Sequence, residues 1–363
     1  MKVGKAIYNI LSQSTDVQSN FPFNDTNYTA VGSELVTNGD FSATGSEVAV
    51  NGTFATDTDW SGSNTISGGQ LTKTSADLSN QSYAGLSVAK SYKVVIDVAE
   101  KNGSDLKFYF GGTQTDINAG TQTLYLINGT SDLLIGVNQG DGSIINSISV
   151  KELGADWEFN STAILTANGM NITTGGYIRQ DVVTIGKFYK LTYDIVSYTN
   201  GDIRVYDGTD QGNIPTSLGS NTFYFKAGDS LFYIQANSVT ANLVIDNISV
   251  QEVVLNKIFP ELAPPDIDAP YIVYSVVSNS PSETKNTNGD IDTASIEVYG
   301  FQDTYNKAVD LGVSVRAALD RKTGTYNTIE IQSTNYVNEQ MDVNEARKLW
   351  AAIQDYSIRI KNL

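Results

Sequence analysis

The chain has 363 residues, 40% of them hydrophobic, and a net charge of −17, enough apolar material for two or three domains and too much for a disordered chain. With no cysteine and no histidine it has no disulfides, no thiolate or imidazole metal sites and no histidine-based triads. The acidic balance argues against a phosphate-binding surface, and no run of about eighteen apolar residues reads as a membrane span.

The first element, "MKVGKAIYNILSQSTDV", places Val3, Ile7, Ile10 and Leu11 on one face of a short helix. Asn9 interrupts it, so it lacks the continuous apolar block of a secretory signal and reads as folded protein made in a cytoplasm. "SNFPFNDTNYTAVG" (Ser19 to Gly32) reads as a linker, taken as residues 20–32. Two short echoes follow, "ELVTNGDF" (Glu34 to Phe41) and "EVAVNGTF" (Glu47 to Phe54), each a strand entering an Asn-Gly turn and a Phe.

A tandem duplication fills the middle of the chain. "SYKVVIDVAEKNGSDLKFYFGG" is matched by "FYKLTYDIVSYTNGDIRVYDGT" at an offset of 97, with Tyr92, Asp97, Tyr109 and Gly111 answering Tyr189, Asp194, Tyr206 and Gly208. Trp60 and Trp157 share that offset, and "IINSISVKEL" recurs as "VIDNISVQEV" one hundred residues on. Each copy consists of short β-branched and aromatic runs bounded by turn signals, which predicts two antiparallel sandwiches of jelly-roll type, residues 33–153 and 154–255. The second copy has no clear "NGDF" opener, so its first strand is either degenerate or borrowed. Residues 20–255 carry 11 Lys and Arg against 24 Asp and Glu, the remaining residues 12 against 16.

The "NGDF" opener followed by Trp, and the closing "IDNISV" strand, resemble the carbohydrate-binding-module jelly rolls of the galactose-binding-like class. That resemblance raises Trp60 and Trp157 as sugar-stacking platforms, although their shared repeat position suits buried core better. It also raises a calcium site on hard oxygen ligands such as Asp40, Asp246 and Glu252. Acidic residues scattered over an acidic surface supply such candidates by chance, so no metal and no cofactor is assigned.

"VQEVVLNKIFPELAP" (Val250 to Pro264) is a seam, beyond which the character of the chain changes. "YIVYSVVS" is a strand, "SPSETKNTNGD" a polar hairpin loop and "IDTASIEVYGF" the returning strand. Asp303 can cap the helix "DTYNKAVDLGVSVRAALD", whose stripe is Ala308, Leu311, Val315 and Leu319. "TIEIQSTNY" and "WAAIQDYSIRI" are closing strands. The expected fold is an α+β core domain, a mixed or antiparallel sheet backed by two helices, split by an insertion of two all-β jelly-roll sandwiches. Residues 1–19 and 256–363 together form that core.

The flanks, through "IYNILSQSTDV", "NKIFPELAP", "ASIEVYGFQDTYNKAVDLGVSVRAALD" and "DYSIRIK", resemble the phage tail completion (tail terminator, or head-to-tail joining) proteins. In that family the N-terminal helix runs almost directly into the "[KR]-I-[FY]-P" strand; here the duplicated region intervenes. The resemblance implies a structural, non-enzymatic virion protein at the head–tail junction, assembled in the bacterial host cytoplasm. It implies a ring, expected to be a homo-hexamer, that terminates the tail tube and meets the major tail tube protein and the head or neck connector proteins. Genome DNA passes through the lumen without specific binding. The sandwiches would project outward, with host or environmental glycans as candidate ligands and their glycan contacts unassigned. Asn279, Pro281, Lys285, Asn288 and Gly289, in the polar hairpin, are the candidate subunit or neck contacts. Two alternatives stand beside this reading. A receptor-binding tail fibre is one. The other is an extracellular glycan-binding or glycan-active protein, for which Glu330, Asp342 and Glu345 are the available carboxylates.

Overall fold

The computed structural model describes residues 2–361 except 43, 84–89, 104, 130–132, 155, 161, 285 and 286. The chain forms two compact units, one of residues 1–33, 186–190 and 251–363, the other of residues 34–185 and 191–250.

In the first unit the two ends of the chain share a core. Helix α1 (Lys2–Gln13) buries Val3, Ala6, Ile7, Ile10 and Leu11, the stripe that its periodicity predicts. Ser14 caps the short helix α2 (Thr15–Gln18), its hydroxyl accepting the Val17 N–H at 3.5 Å. A six-stranded sheet runs in the order Ile258–Pro260, Tyr271–Thr284, Thr287–Gln302, Leu349–Lys361, Ile329–Asn344, Gly324–Tyr326. Its first pair is parallel and the others are antiparallel.

Helix α3 (Tyr305–Leu319) buries Ala308, Leu311, Gly312, Val315, Ala318 and Leu319. Gly312 sets how closely it approaches the sheet. A Cβ there would stand 2.9 Å from that of Ala352, and the Gly312 carbonyl accepts a 2.7 Å bond from the buried Gln354 amide. The cap is Thr304, whose hydroxyl accepts the Lys307 N–H at 3.4 Å; Asp303 instead pairs with the Lys307 ammonium at 2.9 Å. Across nearly the whole sequence, Asn20 donates to the Ser314 hydroxyl at 3.0 Å.

The expectation of an α+β core backed by two helices is overturned. The chain is mostly β, with strands over 55% of it and helices over 9%. The reason is that strand pairing runs on through polar sequence. The described residues of "SPSETKNTNGD" are strand and not loop: the ladder of Tyr271–Thr284 with Thr287–Gln302 continues through Pro281↔Asp292 to Thr284↔Thr287. Likewise Ile329–Asn344 extends for 16 residues, past the "TIEIQSTNY" that marked it and on through "VNEQMDVN". Backbone hydrogen bonds sustain a ladder where alternation in the sequence has lapsed.

The second unit holds two pairs of sheets. In residues 61–153 one sheet runs Asn64–Ser67, Gln70–Lys73, Ile144–Leu153, Ser91–Glu100, Gly120–Ile127; the other runs Ser61–Gly62, Ser79–Tyr83, Leu133–Asn138, Lys107–Phe110, Thr113–Asp116. Val94, Ile96 and Val150 of the first pack with Phe108, Phe110, Ile135 and Val137 of the second in one core. The strands of residues 158–255 follow the same order. Ala163–Thr166, Gly169–Thr173, Asn242–Leu255, Phe188–Asn200, Gly219–Lys226 form one sheet, and Glu158–Phe159, Tyr177–Gln180, Phe232–Ala236, Ile203–Tyr206, Asp210–Asn213 the other.

The two Asn-Gly openers go to different sandwiches. "EVAVNGTF" docks on the sandwich that follows it: Val48 donates to Val150 (2.8 Å), Ile148 to Gly52 (2.8 Å), and Glu47 accepts from the backbone of Val150. "ELVTNGDF" makes the same bonds with residues more than two hundred positions away. Leu35 donates to Val250 (3.0 Å), Ile248 to Gly39 (2.9 Å), and Glu34 accepts from Val250 (2.7 Å). Gln81 and Gln180 clamp the backbones of Val50 and Thr37 in turn. The sandwich of residues 47–153 is thus nested inside the other, after that one's first segment. Its ends meet, because Thr44 pairs with Leu153 and Glu47 with Lys151. One level out, Tyr28–Val31 pairs with Glu252–Leu255. Both joints are antiparallel pairs, the geometry that lets a loop accept a folded insertion at little entropic cost.

Two outcomes follow from the nesting. Replacing residues 45–152 by a short Gly-Ser link should leave a folded protein with Trp157 still buried, read by circular dichroism and tryptophan emission. Deleting residues 34–41 should abolish that burial. Separately, Gly39→Ala should destabilise by about 1–3 kcal/mol in denaturant titration, since its Cβ would lie 1.9 Å from the Ile248 carbonyl oxygen.

Candidate functional site

The openers explain both tryptophans. Asn38 and Asn51 take left-handed backbone (φ 55 and 48), and so do Phe41 and Phe54 (φ 51 and 53), a region bulky residues occupy only when their surroundings hold them there. The holding groups are the indoles. Phe41 lies 5.4 Å from the Trp157 ring and Phe54 5.3 Å from that of Trp60. Trp157 Nε1 donates to the Asn38 carbonyl at 2.9 Å, and Trp60 Nε1 to that of Asn51 at 3.2 Å. With 1% and 8% of their surface exposed, Trp157 and Trp60 are core locks of the openers and offer no face to a sugar.

Asp40 and Asp246 meet in a recess of about 210 Å³ with Lys93, Tyr125 and Leu153. Burial pushes the Asp246 carboxyl above the usual carboxylate range, against the pull of the Asn247 N–H, and the charges of Asp40 and Asp194 push it further. Asp40 is held below that range by the Ser42 N–H and hydroxyl. Glu252 joins neither; it pairs with Lys187 at 2.7 Å. Among the described residues no group of three or more Asp or Glu side chains is placed to hold a metal ion.

In the first unit Asn279 and Pro281 are exposed on the Tyr271–Thr284 strand, and Asn279 donates to the Asp292 carboxylate at 3.1 Å. Asn288 and Gly289 lie on the facing strand, Thr287–Gln302; Lys285 falls outside the described residues. The described candidates therefore sit on paired strands and not on a loop: Asn279 and Pro281 pair with Ala294 and Asp292, which pair in turn with Ile358 and Ile360 of Leu349–Lys361, while Asn288 and Gly289 lie closer to the end of the hairpin. Glu330 and Asp342 stand on one strand, Ile329–Asn344. At about 3.3 Å per residue they are roughly 40 Å apart, too far for a carboxylate pair. Glu345 is exposed in the turn beyond that strand.

Sequence reasoning did not single out a groove of about 330 Å³ in this unit, lined by Leu262, Tyr271, Tyr299, Phe301 and Arg347. Tyr271 stacks on Phe301 at 4.6 Å, and Arg347 lies over Tyr271 while donating to its hydroxyl at 3.2 Å. The alternation Tyr299, Phe301 in "IEVYGF" was the available signal, since these residues point away from Val298 and Gly300 beneath α3.

Residues 241–361 match the family described as "Tail completion protein gp17". No curated protein matches the chain. Among solved structures, a chain of the "Virion of native gene transfer agent (GTA) particle" is 11% identical, over 30% of this chain and 80% of that one, with a TM-score of 0.25. A chain of the Sulfolobus Turreted Icosahedral Virus structure is 11% identical over 96% and 95%, with a TM-score of 0.19. TM-scores this low bear on no detail of the fold. No helix among the described residues is long and apolar enough to cross a membrane.

Two substitutions check the site. Trp157→Ala should lower stability by about 3–5 kcal/mol in denaturant titration. Asp246→Asn should raise the melting temperature at neutral pH. A carboxyl whose folded pKa is raised loses stability as pH climbs from its unfolded pKa through its folded one, so the gain should vanish below the unfolded value.

Proposed function

Through residues 241–361 the chain belongs to the phage tail completion family, and on that premise we propose that it forms a ring, a homo-hexamer, at the head-proximal end of the tail. It is a structural protein of the virion and part of its tail. The ring stops growth of the tail tube and offers a surface to the head and neck connector proteins. Enzymatic activity is no part of this reading.

The observation that carries the reading is the match over the C-terminal flank. The way α1 and Asn20 complete that flank's unit from the far end of the chain supports it. The unit is a whole domain in spite of the insertion. Its outer strand Tyr271–Thr284, with Asn279 and Pro281 exposed, supplies backbone and polar groups for a neighbouring subunit or the tube. A chain of net charge −17 suits a lumen through which DNA passes without sticking. The two sandwiches, which share one strand order, are on this reading decorations carried outward, and we assign them an adhesive role toward glycans. Six copies make weak sites useful through avidity.

Negative-stain microscopy with mass measurement of the purified protein tests the proposal. Rings of six with peripheral knobs that cap tubes of the major tail protein are expected. A monomer at micromolar concentration that leaves tube length unchanged would overturn it.

A further inference from the structure

The sheet Glu158–Phe159, Tyr177–Gln180, Phe232–Ala236, Ile203–Tyr206, Asp210–Asn213 turns Ile178, Val205, Phe232 and Ile234 inward, all buried. Its other face carries Tyr177, Arg179, Arg204, Tyr206, Tyr233 and Gln235, all half-buried. Strand register gathers them: Arg179 and Tyr206 both lie opposite Tyr233, while Tyr177 and Arg204 both lie opposite Gln235. The Tyr177 and Tyr206 rings meet Tyr233 edge to face at 5.5 and 6.0 Å. Arg179 lies over the Tyr233 ring at 5.3 Å and donates to its hydroxyl at 2.6 Å. Arg204 lies over Tyr206 at 5.3 Å. With the Gln235 amide oxygen turned toward it, Arg204 donates two bonds of 2.6 and 2.7 Å. The rotamers are therefore fixed before any ligand arrives.

The fold does not require this surface. At the same register positions the nested sandwich has Tyr109 opposite Gly136, which in turn lies opposite Asn80, and Lys107 opposite Asn138. Where one sheet carries Tyr233 the other carries Gly136, where a Cβ would stand 2.5 Å from the Ser79 carbonyl oxygen. One sandwich folds with a single tyrosine, a lysine and a central glycine at these positions, and its partner in the same chain carries three tyrosines and two arginines there.

We propose that this face is a saccharide-binding platform that takes a neutral polysaccharide chain. Tyrosines give broad amphipathic contact at low entropic cost, and their rings suit the C–H faces of sugars. The arginine N–H groups, the Gln235 amide and the tyrosine hydroxyls are donors and acceptors for sugar hydroxyls, the few placed polar groups that fix orientation. Neutrality of the ligand follows from charge. Glu158 at 2.8 Å and Asp181 at 3.7 Å offset Arg179, and the net charge of −17 repels polyanions. The inference rests on the adhesive role proposed for the sandwiches and assigns that role to one face of one of them.

Affinity electrophoresis of the full chain through gels containing β-glucan, galactomannan or, as the anionic contrast, alginate tests it. Retardation by a neutral polysaccharide is expected, weakened about tenfold by Tyr233→Ala and unchanged by Tyr109→Ala on the other sandwich. Tyr206→Ala provides a second reading if thermal unfolding shows Tyr233→Ala to be misfolded. Binding that survives both tyrosine variants would overturn the assignment of the face, and retardation by alginate alone would overturn the ligand class. If neither the neutral gels nor alginate retards the wild type, the adhesive role falls with the platform. In each case the ring, read by microscopy, is untouched.

Discussion

Antiparallel pairing at two chain crossings holds this architecture together. Where Tyr28–Val31 meets Glu252–Leu255, and again where Thr44 meets Leu153, strands that leave and re-enter a domain lie hydrogen-bonded side by side. A domain interrupted at such a crossing pays almost no loop entropy, because the inserted fold brings its own ends together. Without those pairs, α1 and the C-terminal sheet would have to find each other across more than two hundred residues of chain. With them, that separation collapses to the width of a strand pair.

The openers work by the same economy of contacts. Asn in left-handed backbone, Gly pressed against a carbonyl where no Cβ fits, and Phe in left-handed backbone under an indole form one small lock, used twice. Each part covers a weakness in another: the strained Phe is held by the indole, and the indole N–H finds its acceptor on the Asn carbonyl. The lock is nearly the same in both sandwiches, so it does not itself specify which opener enters which sandwich. Connectivity decides. The opener at Glu47 is next to the sheet it enters, and the opener at Glu34 takes the slot that remains.

Much of the fold was legible in the residues. The α3 stripe Ala308, Leu311, Val315, Leu319 is buried as its spacing requires, and the matched offset of Trp60 and Trp157 read correctly as core, since equivalent positions in a repeat share burial. Three features were illegible for three reasons. The length of the strands was hidden because ladder hydrogen bonds continue through Ser, Asn and Asp, where alternation gives no signal; that concealment produced the α+β expectation. The Thr304 cap was hidden because Asp303 and Thr304 are adjacent and both suit an N-cap. The tyrosine face was hidden because Tyr177, Tyr206 and Tyr233 are far apart in sequence, and only register places them together.

By itself the sequence determined what each segment could be. It excluded histidine and cysteine chemistry, marked stretches of matched wording at a fixed offset, identified the C-terminal flank and showed that its N-terminal helix lay far upstream, because composition, periodicity and motif wording are local properties. Tertiary structure decided which segments belong to each other. It sent "ELVTNGDF" to a sheet two hundred residues away, extended strands through polar sequence and gathered three tyrosines on one face. Those are outcomes of pairing register and of which slots remain open, and no window of sequence contains them.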